Sequence, residues 1–440
     1  MAFVEQVRAI EILDSRGRPT VKATVRLAGG ACASASVPSG KSTGSAEALE
    51  LRDGDPKRYG GLGCRRAVAN VNSEIAGLLV GKALGGQEAL DRALIDLDGT
   101  PNKSRLGANA TLAVSIAFAR AAARLRGREL YEEFAEILRE GGGAAIVGPG
   151  AGRTLPRLTV NLFSGGKHAG ETGPAIQDVL VVPARAKTID QGLAIVYAVY
   201  QAAAALVRRK YDMGPLTADE GGLAPPVDTA EQLLDDAVEA VRAAGLEPGK
   251  DVSLCVDVAS SHFYRDGRYF LTKDRPGLSS EEMIRHLAAW VERYPIVSVE
   301  DGLAEDDWSN WPALRQAIGG HGGRAIVVGD DLLCTNPNRI RRAVKADAAN
   351  ALLLKVNQIG TLTEAAEACR IARAANWRVT VSARSGETED DWLADLAVGW
   401  GGDQIKVGSI TQSERLAKYN RLLEIEATGL FPVTPWPAEA

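Results

Sequence analysis

The hydrophobic pattern divides this chain into two unequal parts. Residues 3–13 and 20–27 read as strands, and residues 64–80, 87–96, 108–126 and 129–139 carry helical patterns. Strands first and helices after predict an N-terminal α+β domain over residues 1–140. Residues 141–153, mostly glycine and alanine, read as a linker. From residue 154 to 425, short β-rich runs alternate with Ala/Arg/Glu-rich helical stretches, which is the beat of βα units and predicts an α/β barrel. Residues 426–440, with three prolines, are predicted to be an irregular tail.

Six of the apolar runs lead to a charge. Run 254–258 carries Asp257, 296–299 delivers Glu300, and 326–329 delivers Asp330; 352–354 ends on Lys355, 379–381 leads to Arg384, and 404–405 leads to Lys406. Successive charges lie 22 to 43 residues apart. In a parallel barrel the carboxyl ends of the strands open on one face, so these side chains are predicted to converge. Gathering three carboxylates and three cations is costly unless they serve a metal and a substrate. Hard oxygen ligands such as Asp257, Glu300 and Asp330 suit Mg²⁺; any one of them alone reads equally well as a solvated loop carboxylate. Two lysines near a dication are expected to depress each other's pKa, leaving one able to act as a base.

Three loops add candidates. Glu220, in Thr217-Ala-Asp-Glu-Gly-Gly-Leu-Ala-Pro225, is a general acid if it faces low-dielectric surroundings, and part of a helix-capping turn otherwise. His168 is one of only four histidines; a lone histidine is more often structural, but its glycine-rich loop favours a site. Ser39-Gly-Lys-Ser-Thr-Gly44 lacks the GxxxxGK[ST] spacing, which excludes a nucleotide phosphate loop. It reads as a lid that brings Ser42 to a metal, or as a plain surface turn.

Net charge of −5 without a basic block argues against nucleic acid as a partner. Five scattered cysteines without CxxC spacing indicate neither a zinc site nor a disulfide framework. No basic-flanked apolar leader and no run of 18 apolar residues is visible, so neither a signal peptide nor a membrane span is expected, and the cytoplasm is the default location.

These motifs together resemble the enolases, the phosphopyruvate hydratases of glycolysis. The matching stretches are Asp14-Ser-Arg-Gly17, the 39–44 loop, Glu47-Ala-Leu-Glu-Leu-Arg-Asp-Gly-Asp55, Ile95-Asp-Leu-Asp-Gly-Thr100 and Asp219-Glu-Gly-Gly222. Ser298-Val-Glu-Asp301, Gly329-Asp-Asp-Leu332, Leu352-Leu-Leu-Lys-Val-Asn-Gln-Ile-Gly-Thr361, Arg384-Ser-Gly-Glu-Thr-Glu-Asp390 and Ser413-Glu-Arg-Leu-Ala-Lys418 extend the match over nearly the whole chain. The resemblance implies an N-terminal α+β domain capping an enolase-type (α/β)₈ barrel with an irregular start. It implies two Mg²⁺ ions, the second arriving with substrate. Asp257, Glu300 and Asp330 match the primary metal ligands, and Ser42 the loop ligand of the second ion. Lys355 matches the base that removes the proton beside the substrate carboxylate, and Glu220 the acid that helps hydroxide leave. Lys406 matches the cation beside the substrate carboxylate; Arg384 and Ser385 match the phosphate-binding pair.

The resemblance breaks at three site positions. Asp178 stands where the family has glutamate, after a loop (169–175) that is one residue longer. Ala383 stands where the family has histidine. Lys41 replaces a small lid residue and adds a cation on the phosphate side. The implied activity is dehydration of 2-phosphoglycerate or a phosphorus-substituted analogue to an enolpyruvate. The altered side would also suit a paralogue of phosphonate or phosphinate antibiotic synthesis, such as a carboxyphosphonoenolpyruvate synthase; a degenerate enolase kept for binding is a third reading. Enolases pair a Glu and an Arg across their dimer interface, and here Lys22 and Glu424 stand there with both signs reversed, which predicts a retained homodimer. Ile10 replaces a charged partner opposite Glu414.

Overall fold

The first strand needs an irregularity to keep its apolar residues on one side. In β1 (Ala2–Leu13) a register shift between Val4 and Gln6 lets Val4 and Val7, three residues apart, share the buried face with Ala2 and Ala9. Strand β1 pairs antiparallel with β2 (Pro19–Leu27), which pairs with β3 (Cys32–Ser36); the short β4 (Ala83–Leu84) completes a sheet of order β3-β2-β1-β4. This description comes from a computed structural model that covers residues 1–140, 154–169, 173–214, 216–272, 276–319 and 325–435. The expected linker at 141–153 and the end of the tail, 436–440, lie outside the described residues.

The expected helices follow: Arg65–Asn70 running on to Leu79, then Gln87–Asp98, Ala108–Arg126 and Leu130–Arg139. Helix Ala108–Arg126 is buried on every side from Ala108 to Ala119, as an alanine-rich helix without a polar face must be. It packs on β2 and β3 on one side. On the other, Thr111 donates to the Gly360 carbonyl at 2.9 Å and Ser115 accepts from the Leu362 amide at 3.1 Å. It is the wall between the N-terminal layer and the barrel.

The barrel closes through β5 (Arg157–Ser164), β6 (Asp178–Val182), β7 (Ser253–Asp257), a small hairpin of β8 (Tyr264–Arg265) and β9 (Arg268–Tyr269) outside it, then β10 (Ile296–Glu300), β11 (Ile326–Gly329), β12 (Ala351–Leu354), β13 (Arg378–Ser382) and β14 (Gln404–Gly408). Its order is β10-β11-β12-β13-β14-β5-β6-β7. All neighbours are parallel except β6, which runs antiparallel to both β5 and β7. The start of β6 therefore lies at the face where the other strands end. Helix Ile189–Tyr211 is long and apolar enough to cross a membrane by composition, but here it packs on β5 and on helix Ala230–Ala243.

Residues 36–50 of the N-terminal part lie across the barrel mouth. Ser39 and Gly386 exchange backbone hydrogen bonds of 2.8 and 2.9 Å, the Ala48 amide donates to the Gln358 carbonyl at 2.7 Å, and the Trp392 indole donates to the Ser36 carbonyl at 3.1 Å.

Candidate active site

Strand register brings the predicted charges together. Glu300 pairs with Asp257 across β10 and β7, and Asp178 pairs with Asp257 across β6 and β7. Lys406 Nζ donates to Asp257 Oδ2 at 2.8 Å and to Glu300 Oε2 at 2.8 Å; Lys355 Nζ donates to Asp330 Oδ2 at 2.5 Å. All five are buried. Gln177 and Gln358, to which sequence reading gave no role, hold Asp257 and Asp330 through side-chain amides at 3.0 and 2.8 Å. Asp301 accepts the backbone amides of Asp330 and Asp331 at 2.9 and 2.7 Å and so fixes that strand end. The doublets Glu300-Asp301 and Asp330-Asp331 were the available signal for it.

The electrostatics follow from this interleaving. Burial disfavours the charge of Lys355, and Lys406 pushes it down as the sequence predicts, but Asp330 and Glu300 prevail and its pKa is raised. Lys406 is likewise raised well above its usual range, because Asp257 and Glu300 outweigh its burial. The carboxylates that hydrogen-bond each ammonium thus outweigh the depression that Lys406 exerts on Lys355. Burial would raise Asp257, yet Lys406 takes it down to about 2. Glu300 goes well above its ordinary value through burial and the charge of Asp257, and Asp331 is pushed up to about 8 by burial and Asp330.

A second cluster sits where β5 ends and β6 begins. Ser164 Oγ donates to Asp178 Oδ1 at 2.5 Å, and Asn161 Nδ2 donates to Glu220 Oε2 at 3.1 Å. His168 Nδ1 is 3.0 Å from Asp178 Oδ2, and His168 Nε2 is 3.9 Å from Glu220 Oε1. Burial and the neighbouring Glu220 raise Asp178, despite His168. Glu220 behaves differently from the expected low-dielectric acid. Burial would raise it, but His168, Arg415 and Lys406 together lower it, so this charge field favours its carboxylate. Burial lowers His168, and Asp178 with Glu220 brings it above its ordinary value. Part of the preceding loop, 170–172, lies outside the described residues.

Arg384 and Ser385, the pair expected to bind phosphate, are engaged mostly by partners from the N-terminal layer. Arg384 donates to Glu47 Oε2 at 2.9 Å, Asn357 Oδ1 at 3.0 Å and the Ser42 carbonyl at 2.8 Å. Arg16 donates to Ser385 Oγ at 3.2 Å while paired with Asp14. Lys41 Nζ lies 2.9 Å from Asp219 Oδ2. Among the described residues, no hydrogen bond from the Ser42 hydroxyl reaches Asp257, Glu300 or Asp330. Ala383 is buried beside Lys406, its amide donating to the Lys406 carbonyl at 2.8 Å. Glu47 and Arg16 lie far from the barrel in sequence, and no local pattern pairs them with Arg384 and Ser385.

Two acidic groupings have ligand-type atoms within 4.8 Å of one another: His168, Asp178 and Glu220, and Asp301, Asp330 and Asp331. Asp257, Glu300 and Asp330 do not form such a group among the described residues, because ammonium groups sit between its members. Their all-oxygen donor set and the raised Glu300 still mark a mouth with more negative charge than its lysines balance, which a hard cation fits.

Comparison with known proteins agrees with this architecture. Residues 4–134 match the family model described as "Enolase, N-terminal domain", and residues 152–429 match "Enolase, C-terminal TIM barrel domain". The chain is 45% identical over 429 residues, 97% of each chain, to "Enolase 1" of Methylococcus capsulatus. With both family models in order on a closed eight-stranded barrel and its capping layer, this chain belongs to the enolase family.

Proposed function

We propose that this protein is a Mg²⁺-dependent hydro-lyase that dehydrates 2-phosphoglycerate to phosphoenolpyruvate. The observation that carries the reading is the buried interleaving of Lys355 and Lys406 with Asp257, Glu300 and Asp330 at one barrel mouth. Asp257, Glu300 and Asp330 would hold Mg²⁺, with Ser42 joining a second ion, and bound there the metal supplies positive charge against the carboxylate oxygens as the carbanion forms. Lys355 would take the proton from the carbon beside that carboxylate, and a cation held by Asp330 would free it from that carboxylate. Lys406 orients the substrate carboxylate, and Arg384 with Ser385 binds the phosphate after Glu47 and Arg16 rearrange. Across the site, Glu220 delivers a proton to the departing hydroxide, with Asp178 and His168 holding proton and charge beside it. The negative charge of the substrate phosphate would raise Glu220, which is what an acid held low by neighbouring cations requires.

A second reading draws on Ala383, which leaves a small side chain beside Lys406, and on the shortened Asp178: a paralogue taking a larger or more anionic phosphorus substituent. Steady-state turnover of 2-phosphoglycerate with Mg²⁺, followed by enolpyruvate absorbance, separates them. Turnover in the usual enzymatic range supports the first reading, and none at saturating substrate rejects it.

A further inference from the structure

The 39–44 loop meets the turn that carries Glu220 through one side-chain pair. Lys41 Nζ lies 2.9 Å from Asp219 Oδ2, with each side chain 27% exposed, and Asp219 is the residue next to buried Glu220. The loop itself lies flush on the barrel. A Cβ on Gly40 would fall 2.0 Å from Arg384, and one on Gly44 would fall 2.5 Å from the Cys334 sulfur. From its other side the turn is held by the barrel: the Ser409 amide donates to the Glu220 carbonyl at 2.8 Å, Asn161 Nδ2 to Glu220 Oε2 at 3.1 Å, the Thr411 hydroxyl to the Gly221 carbonyl at 3.3 Å and Arg415 to the Asp219 carbonyl at 3.5 Å.

We propose that Lys41 and Asp219 form a latch that couples closure of the 39–44 loop to the placement of Glu220. Lys41 is then a positioning residue: it acts through Asp219 and does not touch substrate. Loop closure and acid placement are then linked, because opening the loop removes the cation that holds Asp219, the residue next to Glu220. A lysine suits this task where a small residue would not, since only a long side chain spans from the loop to the turn. The pair is partly exposed, so it is a weak latch that permits opening in each cycle. Pairs of this exposure shift an equilibrium by roughly 2- to 5-fold.

A double-mutant cycle tests it, with hydrogen–deuterium exchange of the 39–45 amides in the substrate-free protein as a readout that needs no activity. Lys41→Ala and Asp219→Asn should each speed exchange by about 2- to 5-fold, the double variant should exceed neither, and Lys41→Arg should restore wild-type exchange. In turnover assays, which rest on the function proposed above, both single variants should raise KM by a similar factor, and the difference from wild type should shrink at about 1 M salt. If Lys41→Ala impairs turnover while Asp219→Asn does not, Lys41 contacts substrate directly and the latch is wrong. Unchanged exchange in both single variants also overturns it. A protein inactive on 2-phosphoglycerate that still shows the coupled exchange refutes the function and leaves the latch standing.

Discussion

Lys355 has Asp330 at 2.5 Å and, among the described residues, no second carboxylate hydrogen bond, so truncating it removes the proposed base and leaves a buried carboxylate without its cation. Lys355→Ala is expected to lower kcat by about 10²- to 10⁴-fold, the usual contribution of a general base, while circular dichroism stays native. Asp178 gives a sharper expectation, because it is already 2.5 Å from Ser164 and faces His168. Restoring the family's glutamate pushes the carboxylate into a filled, buried space, and misplacement by about 1 Å costs about 10²-fold. Asp178→Glu should therefore lower turnover of 2-phosphoglycerate; a rise would mean a scaffold tuned to another substrate. At this scale the sequence revealed what strand periodicity carries: Asp257, Glu300, Asp330, Lys355 and Lys406 each follow or end an apolar run. Glu47, Arg16, Gln177 and Gln358 were hidden, because their roles arise only where distant segments meet.

Among elements, the two strands the sequence pattern described least well are instructive. Strand β3 is Cys-Ala-Ser-Ala-Ser, too small and too weakly apolar to register, and it is held by pairing with β2 and by packing under helix Ala108–Arg126. Strand β6 is a plain apolar run, and nothing local says that it runs backwards; only its pairing with β5 and β7 places Asp178 at the mouth from a strand start. The junction between helices Gln87–Asp98 and Leu362–Ala374 offers a test. Buried Asp91 accepts from the Thr363 amide at 2.9 Å, the Thr363 hydroxyl at 2.6 Å and Gln87 at 3.1 Å. Burial nevertheless raises its pKa to about 6 from 3.8. The native state therefore binds this proton more tightly than the unfolded chain does, so the group's contribution to stability is most favourable below pH 3.8 and declines as pH rises through about 6. Asp91→Asn should gain on wild type in unfolding free energy across that window, by no more than about 3 kcal/mol. Asp91→Ala should cost about 1–3 kcal/mol at low pH by stranding the Thr363 amide, and less as pH rises through about 6. A wild-type minus Asp91→Asn difference that is flat with pH would contradict the account.

For the whole molecule, the expected homodimer rests on Lys22 and Glu424. Both are exposed, and among the described residues Glu424 reaches only Arg421, at 3.1 Å along its own helix. Ile10 and Leu13 on β1 are about half exposed beside Lys22, at 47% and 52%. Sedimentation should find a dimer that Lys22→Glu weakens several-fold and that Lys22→Glu with Glu424→Lys restores; a monomer at micromolar concentration would remove this part of the account. The central functional claim is that Lys355 removes the proton beside the substrate carboxylate, whatever leaves afterwards. The most direct measurement incubates the protein with Mg²⁺ and 2-phosphoglycerate in D₂O and follows loss of the C2 proton by NMR alongside product formation. The account predicts that this proton is lost, as product or as exchanged substrate, with wild-type protein, and that it persists with Lys355→Ala. Retention of the C2 proton by wild type, or equal loss with both proteins, would contradict it.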